Sequence, residues 1–179
     1  MTIIRDKFNN SKAFFNTHKT KNLKYRKQQL KLLSKNIKNH ENELLDALYK
    51  DLGKSKVEAY ATEIGMLLKS IKLMRKELKN WSKTKQTDTP LYLFPTKSYI
   101  KKEPYGTVLI IGPFNYPVQL VFEPLIGAIA AGNTAIVKPS ELTPHVAIVI
   151  KDIIEDTFDE AYVSVVEGCL LYTSDAADE

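Results

Sequence analysis

The sequence predicts an α/β fold: N-terminal helices, a β-hairpin, then the first βαβαβ part of a parallel sheet. Three observations predict it. Apolar residues recur at helical spacing through the first 85 positions, all eight prolines lie between Pro90 and Pro144, and from Gly106 short apolar runs alternate with helical patterns. Charge divides the chain at the same place. Residues 1–88 carry 21 Lys+Arg against 9 Asp+Glu and residues 89–179 carry 5 against 12, which gives the net +5.

The front reads as helices in order. Leu23, Leu30, Leu33 and Ile37 mark one, and Leu44, Leu45, Leu48 and Leu52 a second, closed by Gly53 as a C′ residue. Ser55-Lys-Val-Glu58 has the form of a capping box. Behind it Val57, Tyr60, Ile64, Leu67, Leu68, Ile71, Leu78 and Trp81 form one apolar face. Lysines fill the opposite face, which suits phosphate contacts. Against a nucleic-acid binder, Glu41, Glu43, Asp46, Glu58, Glu63 and Glu77 are interspersed and no nucleic-acid-binding signature occurs. Solvated helix faces are the expected reading, with no nucleic-acid partner.

Leu91–Phe94 and Ser98–Lys101, separated by Pro95-Thr-Lys97, predict a hairpin. Pro90, Pro95 and Pro104 place it at an edge, as a subunit contact or a surface flap. Thr107–Ile111 is a continuous apolar run, as in a strand buried on both faces. A helix through Leu120, Phe122, Leu125 and Ile129 follows, started or kinked by Pro124 and stopped by Gly132. Thr134–Lys138 is the second strand. Thr143 and Pro144 read as an N-cap and first-turn proline, and Val146, Val149, Ile150, Ile153 and Ile154 as the next helix's core face. Tyr162–Val166 is the third strand, and right-handed crossovers make the three parallel.

Composition narrows the function classes. At 179 residues, 44% apolar and 26% charged, the chain is of the soluble globular type. No apolar run approaches the roughly 18 residues of a membrane span, and no signal-peptide core opens the sequence. One cysteine excludes a disulfide framework, and His18, His40 and His145 are too scattered to suggest a metal site. A cytoplasmic setting is expected.

In open parallel sheets ligands bind beyond the carboxyl ends of the strands. Two polar clusters fall there: Gly112-Pro-Phe-Asn-Tyr-Pro117 and Lys138-Pro-Ser-Glu141. Neither a GxGxxG nor a GxxxxGK[ST] is present, so a P-loop ATPase is excluded and a dinucleotide pyrophosphate would need other donors. Each cluster has a plain structural alternative. Asn115 suits a turn, Phe114 a core, Lys138 an exposed strand end, and Ser140 and Glu141 the turn that opens a helix. Gly132 and Asn133 are accounted for as a helix C-cap.

Taken with Gly127–Thr134 and Val137–Leu142, these clusters resemble the NAD(P)-dependent aldehyde dehydrogenases, and within them the class 3-like, fatty-aldehyde branch. Tyr25–Leu30, Leu45–Lys54 and Glu58–Gly65 are similar to that branch's opening helices. The resemblance covers about Phe8 to Gly168. It implies an incomplete aldehyde dehydrogenase fold: an N-terminal helical segment at 1–85, an oligomerisation-type hairpin at 86–105 and a partial NAD(P)-binding, Rossmann-like domain at 106–168. Residues 169–179 read like a translated sequencing adapter and are set aside, Cys169 included.

The resemblance also implies a mechanism. A cysteine thiolate attacks an aldehyde, the thiohemiacetal is oxidised to a thioester, and a carboxylate-activated water releases the acid. Asn115 matches the oxyanion asparagine. Lys138 and Glu141 match residues that hold the adenosine ribose, with Ser140 beside them, and Gly112, Pro113, Phe114 and Asn115 would line the nicotinamide side. Glu141 favours NAD, although the branch often accepts NADP. An aldehyde is the implied substrate and a homodimer the implied assembly. The nucleophile, the general base and any C-terminal membrane anchor are expected beyond Gly168, so this chain alone is expected to be inactive. Val108, Ile110, Ile136, Val149 and Ile153 are expected to face elements outside it. The competing reading is a non-catalytic nucleotide-binding or scaffold module.

Overall fold

The computed structural model describes residues 2–168; the adapter-like stretch from Cys169 lies outside them. The helical front consists of α1 (Thr2–Asn16), α2 (Leu23–Asn39), α3 (Glu41–Leu52), α4 (Lys56–Ala59) and α5 (Gly65–Trp81). Helix α2 starts where the Asn22 side chain accepts from the N–H groups of Lys24 and Tyr25. Helix α3 stops at Gly53, whose φ of 67° lies in the left-handed region that glycine enters without strain. Ser55 caps α4 by accepting from the Glu58 N–H at 3.2 Å.

Between α4 and α5 the chain makes a π turn over Tyr60–Ile64. That turn corrects the predicted apolar face. Ile64, Leu67, Ile71 and Leu78 are buried as expected, but Val57, Tyr60 and Trp81 are exposed. The π turn inserts one extra residue, which rotates everything before it by about 100° around the helix. Ala59 and Glu63 turn inward in place of Val57 and Tyr60. Trp81 is the last helical residue and extends past the packed turns.

A hairpin follows, in a different register from the expected one. Its strands are β1 (Lys85–Thr87) and β2 (Ser98–Ile100), antiparallel, with Gln86 opposite Tyr99. Leu91–Leu93 is a 3₁₀ turn rather than a strand. Pro90 and Pro95 bracket that segment and cannot donate to a ladder, so pairing passes to the proline-free Lys85–Thr87.

The three-stranded sheet has the order β3 (Thr107–Ile111), β4 (Thr134–Lys138), β5 (Val163–Val165), parallel throughout. Helix α6 (Gln119–Ala131) connects β3 to β4, and α7 (Pro144–Thr157) connects β4 to β5. Pro124 neither starts α6 nor ends it. It sits sixth in the helix, where its missing N–H removes the rung to the Leu120 carbonyl. Helices α2 and α5 pack on α6, and α2 and α3 on α7, while α1 lies against β3 and β4. Tyr162, fully buried before β5, gathers Phe14, Tyr25 and Phe158 at ring-centroid distances of 5.3–5.7 Å. Burial pushes the Tyr25 hydroxyl pKa up to about 12, with the Asp159 carboxylate adding to the shift.

Central β4 is buried along its whole length, whereas β3, expected to be buried on both faces, is buried on one face only. Ile110, Ile136 and Ile153 are buried in this chain, and Val108 and Val149 pack against its core, contrary to expectation. Strand alternation turns Leu109 and Ile111 to the uncovered face instead. At the far end of the sheet Arg26 donates to the carbonyls of Thr20, Lys21 and Ala130. A Cβ at Gly132 would stand 2.5 Å from its guanidinium, and Gly132 also has a φ of 95°. Asn133 accepts from the Gly106 N–H at 3.0 Å and so ties the start of β3 to the end of α6.

His40, between α2 and α3, contacts Glu43 at 2.6 Å and Asp156 of α7 at 3.1 Å. Burial alone would lower its pKa, but the two carboxylate hydrogen bonds outweigh that, so the folded value lies above the ordinary one. The raised folded pKa stabilises the protein below the unfolded value, about 6.5, and this contribution is lost as pH rises through the folded value. Urea midpoints measured from about pH 5.5 to about pH 8.5 are expected to fall more steeply in wild type than in His40→Gln. Parallel slopes would contradict this.

Candidate functional site

The register pairs Ile111 with Lys138, so β3 and β4 end side by side at one rim. The ladder continues one residue further, because the Gly112 N–H donates to the Lys138 carbonyl at 2.8 Å. Gly112 is buried, and a Cβ there would stand 2.2 Å from Val121 Cγ2. Only glycine lets α6 fold back this closely on the strand that feeds it.

Pro113, Phe114, Asn115 and Tyr116 then form an exposed loop, and Pro117 and Val118 return to the interior. Phe114 is 51% exposed, which rules out the core reading. Asn115 is held through its backbone: its carbonyl accepts from Lys54 Nζ at 2.9 Å. The same ammonium lies 4.0 Å from the centroid of the Tyr116 ring. Lys54 in turn donates to Glu63 Oε1 at 2.6 Å, and Glu63 Oε2 accepts from the N–H groups of Val118 at 2.8 Å and Gln119 at 3.2 Å. Glu63 is fully buried. It therefore caps α6, whose own N-cap, Val118, has no side chain able to do so.

Lys138 is 4% exposed and so is not a solvated strand end. Its ammonium donates to the Pro139 carbonyl at 3.1 Å and to Glu141 Oε2 at 2.5 Å. Ser140 is buried; its hydroxyl accepts from the Leu142 N–H at 3.2 Å and its carbonyl from the Thr143 N–H at 3.4 Å. These bonds make the turn that opens α7 and account for Ser140 structurally. Glu141 is exposed at the rim. Thr143 occupies the N-cap position but makes no side-chain cap bond, contrary to expectation. Asp51 of α3 takes the role, accepting from the His145 and Val146 N–H groups at 3.4 and 2.8 Å, with the His145 ring 2.6 Å from the same carboxylate.

The structure thus brings all seven candidate residues, 112–115, 138, 140 and 141, to the carboxyl ends of two adjacent strands. An amide donor and a carboxylate paired with a buried lysine share that rim. A carboxylate accepts from hydroxyl groups and an amide donates through its N–H groups, so the chemistry of this set fits a polar nucleotide ligand. Sequence reasoning missed Lys54, Glu63 and Asp51. The available signal was Glu63 itself, an acidic residue one position before Ile64 and four before Leu67 within an apolar stripe.

Comparison with known proteins follows the same lines. The model of the aldehyde dehydrogenase family matches residues 3–175. The chain is 74% identical over 168 residues to the 4,4'-diaponeurosporen-aldehyde dehydrogenase of Staphylococcus aureus, covering 94% of the chain and 37% of that protein. It is 37% identical over 179 residues to the dimeric, NADP-preferring aldehyde dehydrogenase of Canis lupus familiaris, covering 100% of the chain and 40% of that protein. A substrate-bound structure of Staphylococcus aureus AldH superposes with a TM-score of 0.94 at 72% identity, covering 98% of the chain and 38% of that structure. The chain therefore spans well under half the length of the relatives it matches.

The close approach at Gly112 makes a direct test. Gly112→Ala is expected to cost about 1–3 kcal/mol in urea denaturation, because the new methyl displaces Val121. Gly112→Ala with Val121→Ala should lose less than the two single costs added together. Strict additivity would show that the contact does not constrain this turn.

Proposed function

This chain belongs to the aldehyde dehydrogenase family, and on that premise we propose that it supplies the N-terminal part of an enzyme oxidising aldehydes to carboxylic acids with NAD(P). The observation that supports this reading is the shared rim of Asn115 and the Lys138–Glu141 pair, set by the Ile111–Lys138 register. In the proposed reaction a cysteine thiolate from outside residues 2–168 forms a carbon–sulfur bond to the aldehyde. The carbonyl π electrons move onto oxygen, and the Asn115 NH₂ donates to that oxygen as its charge develops. The amide stabilises an alkoxide more than a neutral carbonyl, so its contribution falls on kcat.

NAD(P), when bound, accepts the hydride that leaves the carbon as the thioester forms. Glu141 receives the ribose hydroxyls in this reading, with Lys138 holding its carboxylate in place. A negative charge at that point opposes a ribose phosphate and favours NAD. Gly112, Pro113 and Phe114 form the wall beside the nicotinamide. The general base that activates water also lies outside residues 2–168, so the chain alone is proposed to be inactive. Residues 1–85, 86–105 and 106–168 act as helical support, subunit contact and half of the nucleotide domain. Leu91, Tyr92 and Phe94, among the most exposed apolar side chains, suit burial in a dimer. A reducing cytoplasm suits the thiolate chemistry.

Two measurements on the complete enzyme test this reading. Asn115→Ala is expected to lower kcat by roughly 10²–10³, with KM for NAD little changed. Glu141→Gln should raise KM for NAD more than KM for NADP. An Asn115→Ala enzyme with unchanged kcat would refute the oxyanion role.

A further inference from the structure

Asn115 carries the proposed chemistry, yet it stands on an exposed loop between two anchors. One anchor is Gly112, bonded to the Lys138 carbonyl, and the other is the Val118–Gln119 pair of N–H groups held by Glu63. Four exposed residues span the interval. A side-chain amide at the middle of such a span needs a third constraint, because a misplacement of about 1 Å can cost on the order of 100-fold in rate.

Lys54 supplies one. Its ammonium contacts the Asn115 carbonyl and the Tyr116 ring, and so holds both sides of the Asn115–Tyr116 peptide. The Lys54 side chain is itself only 10% exposed, and its charge is paired with the fully buried Glu63. Glu63 therefore holds the end of the loop directly through α6 and its middle through Lys54. Glu63 lies within the π turn with its carboxylate inside, while Tyr60 of the same turn is exposed.

Resting on the reading under Proposed function, we infer that Lys54 and Glu63 are positioning residues for Asn115: a buried ion pair that orients the oxyanion amide without touching substrate or cofactor. Fixing the carbonyl of Asn115 fixes the peptide plane next to its Cα, and with it the direction in which the side chain leaves the loop. The substrate oxygen then meets a donor already in place, which is the condition under which such a donor contributes to rate.

The experiment is a double-mutant cycle in the complete enzyme, using the best of a panel of straight-chain aliphatic aldehydes with NAD. Lys54→Met keeps the alkyl stem and removes the donor. It is expected to lower kcat roughly tenfold or more while KM for NAD stays within about twofold. In the Asn115→Ala background the same substitution should have less than about a twofold effect, since nothing remains to be positioned. A general structural defect would instead lower activity equally in both backgrounds. Lys54→Met with unchanged kcat, or with an equal loss in both backgrounds, overturns the inference.

Removing Lys54 alone leaves a buried unpaired carboxylate and can prevent folding. In that event Lys54→Met with Glu63→Gln, which removes both charges, carries the same expectation and is overturned by the same outcomes. If Asn115→Ala itself keeps wild-type kcat, the oxyanion reading fails. If Asn115→Ala is impaired and the Lys54 variants are not, only the positioning role fails.

Discussion

Helices α6 and α7 begin without a side-chain cap of their own, and satisfying their unpaired N–H groups organises the site. Helix α6 opens at Val118, which has no polar side chain, and α7 opens at Thr143, whose hydroxyl points to the Ser140 carbonyl instead. Unpaired N–H groups at a buried helix start are costly. Both sets are satisfied by carboxylates from the helical front, Glu63 for α6 and Asp51 for α7. A carboxylate at a helix N-terminus also meets the positive end of the helix dipole. The front is thus bonded to the sheet at the two points where the loops of the candidate site end, and it reads as support for that site rather than as a separate basic module.

That arrangement depends on the π turn at Tyr60–Ile64. In an uninterrupted α-helix the apolar stripe would run through Val57 and Tyr60, with Glu63 at its border, four residues before Leu67. One extra residue exchanges these roles: Ala59 and Glu63 go in, and Val57 and Tyr60 come out. Gly65, which follows the turn, sits where a Cβ would stand 3.1 Å from the Tyr60 carbonyl, so the tight backbone there is matched by the smallest residue. Local backbone irregularity in this case places a charge.

How much was legible in the sequence follows from which interactions are local. Strands β3 and β4 were read at their observed bounds because a continuous apolar run is a local signal, and Gly53 and Gly132 marked the ends of α3 and α6 because a left-handed C-cap needs glycine. The shared rim of residues 112–115 and 138–141 followed from chain order and parallel topology. The hairpin register did not, because Lys85–Thr87 is exposed on both faces and carries no alternation. Helix α1 leaves little signal for a related reason: much of it is exposed and its apolar positions are sparse. Caps supplied over 55 and 95 residues of separation, Glu63 to Val118 and Asp51 to Val146, leave no signature at the helix they cap.

Under the proposed reading, the same caps account for a nucleotide site without a glycine-rich fingerprint. In the common dinucleotide fold the first crossover helix offers its N-terminal N–H groups to the pyrophosphate. In this chain the corresponding groups, on Val118 and Gln119, are already bonded to Glu63, and a second anion placed there would face a buried carboxylate. The N-terminus of α7 is likewise taken by Asp51. Both helix starts are committed to holding loops in place, so under the proposed reading side chains make the ligand contacts: an amide on the first loop, and a carboxylate on the second restrained by a buried lysine. Under the proposed reading the nucleotide is therefore held at its ribose and nicotinamide ends by residues 112–141, and its pyrophosphate takes its donors from elsewhere in the enzyme. The loop that carries Asn115 needs to hold one direction rather than wrap a phosphate, and a short exposed span anchored at Gly112, Lys54 and Glu63 is suited to that task.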